Sequence, residues 1–193
     1  MRKLLAASHR TMPWKNGGGT TTEIARFPPG STLDDFEWRV SMARVEAAGP
    51  FSRFRGIDRS LALVEGEGVA LVIDGGQPVR IDEQSPPFSF SGDASTSATL
   101  TGGAIEDLNV MTRRGRFRHT ARRQLVDRST SIPMHADVTV LVIVRGVARA
   151  LRDGLVEHLG ARDALILERG PELLLSVDED VEMGLLAAEL WRC

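Results

Sequence analysis

Period-two alternation runs through most of this chain and a helical repeat does not, which restricts the fold more than any other feature. Phe36, Trp38, Val40 and Met42 fall on one face of an extended run, and Glu37, Arg39, Ser41 and Ala43 on the other. Leu61–Val64 and Val69–Ile73 flank Glu65-Gly66-Glu67-Gly68, which reads as a hairpin. Val138–Val144 is β-branched and apolar enough for a strand buried on both faces. Further strands are predicted at Thr20–Ala25, Ile105–Arg114, Ala164–Leu167 and Leu173–Val177. Phe88 and Phe90 alternate inside the Ser-rich stretch Ser85–Ser97, so part of it is expected to pair. Gly and Pro clusters, among them Gly75-Gly76, Gly102-Gly103 and Gly170-Pro171, separate the strands. The chain is read as all-β.

A weak internal echo bears on organisation. Leu61–Leu71 resembles Leu141–Leu151, each pairing an apolar strand with a glycine turn and a second strand. Two copies in 193 residues are too few for a solenoid and read as two fused β-barrel or sandwich halves. The halves are expected at residues 1–115 and 116–193. At 42% hydrophobic and 26% charged, the chain has the material for a real core. The formal net charge of −2 argues against a nucleic-acid partner. No apolar run approaches the roughly 20 residues of a membrane helix. Met1–Ala7 begins like a signal peptide, but His9, Arg10 and Pro13 interrupt it. The one cysteine, Cys193, fits a reducing, cytoplasmic setting.

Four segments carry groups with chemistry. Pro13–Glu23 contains Lys15, Asn16 and three successive glycines, which either form a plain turn or bring backbone N–H groups close to an anion. Gly49–Arg59 offers Ser52, Asp58 and Arg59; the guanidinium matches a carboxylate, while Asp-Arg also reads as a surface ion pair. In Asp107–Arg114 the alternation puts Asp107, Asn109, Met111 and Arg113 on one face, turned either to water or to a barrel interior. The arginine run from Arg113 to Arg128 reads as a solvated face or a connection between halves. His9, His119, His135 and His158 stand apart without metal-ligand spacing, and no nucleophile motif is present.

These segments resemble the HutD/Ves family of small bacterial bicupins. The matching stretches are Pro13–Gly19, Phe36–Ala43, Gly49–Arg59, Pro87–Asp93 and Asp107–Arg114, in family order. The resemblance implies two fused cupin barrels of the RmlC-like jelly-roll type with few short helices. Metal-binding cupins carry His-x-His ahead of the Gly-x-Gly turn, where this chain has Phe54 and Gly56, so no metal and no cofactor are expected. The family is associated with histidine utilisation, in accessory or regulatory roles.

On this footing the chain is expected to bind a small anionic metabolite, urocanate- or formiminoglutamate-like, through Lys15, Asn16, Arg39, Ser41, Ser52, Arg59, Asp107, Asn109 and Arg113. Arg39 and Ser41 are expected inward and Trp38 therefore outward. Two alternatives stand beside it. One is a cofactor-free cupin enzyme, a hydrolase or isomerase with Lys15 and Asp107 as its acid/base pair. The other is a protein-interaction module, which together with a homodimer would use the arginine-rich stretch and the C-terminal half.

Overall fold

A computed structural model of the chain describes residues 1–178 and 182–193. In chain order its strands are β1 (Arg2–Leu4), β2 (Arg10–Pro13), β3 (Gly19–Phe27), β4 (Trp38–Val45), β5 (Gly49–Pro50), β6 (Ile57–Glu65), β7 (Val69–Ile73), β8 (Val79–Ile81) and β9 (Phe88–Ser91). There follow β10 (Thr96–Leu100), β11 (Ile105–Arg113), β12 (Phe117–Val126), β13 (Ser129–Arg145), β14 (Ala148–Arg152), β15 (Leu155–Leu159), β16 (Ala164–Ser176) and β17 (Met183–Arg192). Among the described residues, the helical element is one turn of 3-10 helix at Ala6–Ser8. The fold is all-β, as the alternation predicts.

The chain divides into two compact units. One comprises Met1–His9 and His119–Arg192, the other Arg10–Arg118 with Cys193. In the first unit a seven-stranded sheet runs in the order β12-β17-β13-β16-β14-β15, with β1 antiparallel to β16. Its interior is hydrocarbon: Leu141, Ile143, Leu165, Leu167, Leu173, Leu175 and Leu185 are among its fully covered side chains. The strands expected at Ala164–Leu167 and Leu173–Val177 are one strand, because β16 runs straight through Gly170-Pro171. A register shift against β13 between Met134 and Val138 absorbs the irregularity there, as a bulge does.

The second unit has two sheets, β2-β3-β4-β11-β6-β9 and β5-β10-β7-β8. The segment read as a hairpin is a crossing instead. β6 pairs with β11 and β9, while β7 pairs with β10 and β8, so Glu65–Gly68 carries the chain from one sheet to the other. Its glycines have φ of +110° and +144°, and a Cβ on Gly66 would lie 2.9 Å from Ile105 Cγ2. The Ser-rich stretch does pair, with Phe88–Ser91 lying along β6.

The inner face of the six-stranded sheet changes character along its length. Ala43, Val45, Leu61, Leu63 and Ile105 pack with Val69, Leu71, Ile81 and Ala98 of the smaller sheet. On the same strands, Arg39, Ser41, Arg59, Asp107 and Asn109 are buried polar residues. Phe36 departs from the expected face. It precedes β4, escapes that strand's alternation, and packs inward with Ile57 and Met111.

Candidate functional site

β4, β6 and β11 are neighbours, and the polar positions of all three face one cavity of about 560 Å³ in the second unit. The register explains the convergence: Arg39 lies opposite Met111, Ser41 opposite Asn109, and Arg59 opposite Met111 on the other side. Eight of the nine residues picked from the sequence line this cavity. Arg39, Ser41, Arg59, Asp107 and Asn109 are buried along it, whereas Lys15, Asn16 and Ser52 are exposed at its rim.

Arg113 does not belong to the group. It shares a strand face with Asn109 but sits one step beyond Met111, where Met111, Phe36 and Ile57 pack together. Its Nε donates to Phe36 O at 2.8 Å and its Nη2 to Asp34 O at 2.6 Å, so it anchors the segment leading into β4. Trp38 lies on the outer side, stacked on Phe27 with centroids 6.0 Å apart. Asp58 points away from Arg59 and accepts Arg114 Nε at 2.7 Å, the surface ion pair. The glycine triplet is a turn, since Gly17 N donates to Trp14 O and Gly18 N to Asn16 Oδ1.

Two bulges shape the polar wall. In β3 the register against β4 shifts between Glu23 and Ala25, which brings both Glu23 and Arg26 alongside Arg39. Glu23 Oε2 then accepts Arg39 Nε at 2.9 Å, and its Oε1 lies 3.4 Å from Arg26 Nε. Between β11 and β6 the register shifts at Glu106/Asp107, next to the carboxylate that enters the cavity.

The centre of the site is a chain of three side chains. Arg59 Nη2 donates to Asn109 Oδ1 at 2.6 Å, and Asn109 Nδ2 donates to Asp107 Oδ1 at 2.5 Å. Arg59 Nη1 reaches Ser52 O at 3.4 Å, while its Nε has no hydrogen-bond partner among the described residues. The rings of Phe51, Phe54 and Phe90 lie 5.1 to 5.8 Å from the guanidinium carbon and partly replace its lost hydration. Burial pulls the Arg59 guanidinium down to about 10; Asp107 acts against that and Arg39 with it. Burial pushes the Asp107 carboxyl up to about 7, opposed by Arg59, with Glu106 adding to the rise and the Asn109 hydrogen bond opposing it.

The aromatic half of the cavity was not picked out as such from the sequence. Trp14, Phe51 and Phe54 line it with Met12, Leu33 and Pro50. Trp14 is oriented by a hydrogen bond from Nε1 to Thr21 Oγ1 at 2.7 Å. Phe54 is held by a clip: its N–H donates to Gly92 O, Asp93 Oδ1 accepts Gly56 N–H at 3.0 Å, and Asp93 Oδ2 accepts Arg114 Nη1 at 2.6 Å. The donation from Gly56, seconded by Arg114, draws the Asp93 carboxyl down to about 2. The available signal was Phe51 and Phe54 bracketing a turn beside a buried arginine. Among the described residues no three His, Cys, Asp or Glu side chains gather as a metal site would require. The arrangement suits holding a small acid, its carboxylate on arginine and its body against aromatic rings.

Comparison with known proteins agrees with the motif resemblance. The HutD family model matches residues 6–185. An uncharacterized 21.2 kDa protein in the hutC 3′ region of Pseudomonas putida is 40% identical over 177 residues, covering 90% of each chain. Protein Ves of Citrobacter koseri is 40% identical over 124 residues, 62% of each chain. Among solved structures, a conserved protein of unknown function from Pseudomonas aeruginosa PAO1 has a TM-score of 0.90 at 33% identity, covering 98% of both chains. HutD from Pseudomonas fluorescens SBW25 has a TM-score of 0.81 at 31% identity, covering all of this chain and 98% of that one. A cupin 2 conserved barrel domain protein from Leptotrichia buccalis, 9% identical with a TM-score of 0.60 over 92% of this chain and 91% of that one, shares the fold.

Proposed function

The chain belongs to the HutD family, and on that premise we propose that it binds a small anionic metabolite in the cavity of its second unit. The family name associates it with histidine utilisation, so the ligand is urocanate- or formiminoglutamate-like and the role accessory or regulatory. In this reading each unit is one cupin half of a bicupin. The observation that carries the proposal is Arg59, a buried guanidinium whose Nε lacks a hydrogen-bond partner among the described residues, in a cavity also lined by Arg39 and aromatic rings. An unpaired donor of that kind is costly unless something accepts from it, and a carboxylate is the matching acceptor. Occupancy would favour the ligand-fitting conformation, which is how a small protein reports a metabolite.

Isothermal titration with urocanate and with formiminoglutamate tests the proposal. We expect saturable binding, weakened about thirtyfold or more in Arg59→Met, as removal of a charge-assisted hydrogen bond implies. Arg116→Gln, an exposed arginine outside the cavity, should bind like the parent. Absence of heat and of a thermal shift with both compounds overturns the proposed ligands.

One observation favours an enzymatic reading as well. Asp107 is buried in the cavity with its carboxyl raised to about 7, the range in which a side chain can both take and give a proton. Lys15, its expected partner, is exposed at the rim, so Asp107 would act alone. Turnover of either compound by the purified protein, lost in Asp107→Asn, would establish that reading.

A further inference from the structure

We infer that the cavity takes up a proton together with its anion, and that the carboxylic acid form of Asp107 is the state that accepts the ligand. This rests on the reading of the cavity as an anion site. It adds the residue that sets selectivity and the charge state in which it does so.

The geometry begins with Asn109. Its amide oxygen accepts from Arg59 and its NH2 donates to Asp107 Oδ1, so it separates the two charges. Asn109 thereby supplies a side-chain hydrogen bond to the Asp107 carboxyl, and Asp107 faces the cavity. An ionised carboxylate there presents only acceptors to an incoming anion, whereas the acid presents an O–H donor.

Charge balance points the same way. On its own strand Asp107 is followed by Asn109 and preceded by Glu106, which lies across from Glu65 of β6 and Arg44 of β4. β6 contributes Arg59 and β4 contributes Arg39; β3 contributes Glu23 and Arg26, and Lys15 stands at the rim. Glu23 is shared between Arg39 at 2.9 Å and Arg26 at 3.4 Å, so Arg39 already has a carboxylate partner. With Asp107 ionised, Arg59 is balanced before any ligand arrives, and an added anion would face a buried like charge. With Asp107 protonated, the Arg59 guanidinium has no carboxylate counter-charge on the neighbouring strand and meets the anion as its partner. Burial has already brought this carboxyl to about 7, and an anion in the same cavity raises it further, so the uptake occurs near neutral pH.

The test uses urocanate and the unmodified protein at pH 8, where a free imidazole is neutral. Titrations in HEPES and in Tris, which differ in ionisation enthalpy, should give unequal apparent enthalpies corresponding to nearly one proton taken up per anion. Affinity should be flat below about pH 7 and weaken about tenfold per pH unit above it, as linkage to one proton requires. Asp107→Asn should bind with no proton uptake and no such pH dependence. Saturable binding with equal enthalpies in the two buffers overturns the inference and leaves the anion site standing. No binding removes both. Should the variant fail to fold, the two-buffer comparison on the parent decides alone.

Discussion

Asp107 is 1% exposed and accepts a side-chain hydrogen bond from Asn109, which does not replace the hydration a carboxylate loses there, so its charged form is a burden on the native state. Burial raises its folded-state carboxyl to about 7 while the unfolded chain keeps the ordinary value near 4. The folded state therefore binds the extra proton, and its stabilisation is complete at low pH and lost as pH rises through about 7. The loss is on the order of 4 kcal/mol across that window. Urea denaturation at steps from pH 4.5 to 8 should show this fall in the parent and its absence in Asp107→Asn, which keeps the acceptor for Asn109. A parent curve as flat as the variant's would mean that the carboxyl is not desolvated as its burial indicates. Residue by residue, what alternation could read was inward or outward facing: it placed Arg39 and Ser41 together and Trp38 opposite. It could not read where a strand stops mattering. Arg113 keeps the right parity but lies past the Phe36–Ile57–Met111 cluster, and Phe36 itself stands outside the strand whose period was applied to it.

Strands were legible as elements, their partners much less so. Leu61–Val64 and Val69–Ile73 are both strands, yet the tight glycine turn between them joins different sheets, because a turn signal reports a reversal and not a hydrogen-bonded ladder. Bulges are similarly silent in the sequence: nothing in Thr20–Phe27 announces the extra residue that turns both Glu23 and Arg26 toward Arg39. The crossing turn yields a prediction of its own. At Gly66 φ is +110°, and a Cβ would meet Ile105 Cγ2 at 2.9 Å and Ala104 O at 3.1 Å. Gly66→Ala should therefore destabilise by roughly 1–3 kcal/mol, read as a lower urea midpoint with an unchanged slope. Gly103→Ala, where an added Cβ meets nothing within 4 Å, should stay within about 0.5 kcal/mol of the parent. Equal effects at the two positions would show that the crossing is not under conformational constraint.

At the scale of the molecule, the two units differ in what their sheets enclose, and the difference sets the stoichiometry of binding. The unit of Met1–His9 and His119–Arg192 closes on leucine, isoleucine, methionine and alanine side chains. Its buried ionisable groups lean on backbone and not on a cavity: Arg152 Nη2 donates to Glu168 O while its Nε lacks a hydrogen-bond partner among the described residues, and Asp163 accepts from Ala6 N–H and Gly160 N–H. The unit of Arg10–Arg118 instead holds Arg39, Arg59, Asp107 and Asn109 around open space. A buried guanidinium beside a hollow matches an acid, whereas the cavity of the other unit, also about 560 Å³, has only the exposed Arg149 and His158 as cationic or imidazole groups on its lining. One anion per chain is the expected end point, reached by titration at protein concentrations well above Kd. Saturation to a hundred times Kd should then add about 2.7 kcal/mol to native stability, a shift that Arg59→Met does not show. A second equivalent of comparable affinity would place a ligand in the other unit's cavity beside Arg149 and His158, and the division of labour between the two units would have to be abandoned.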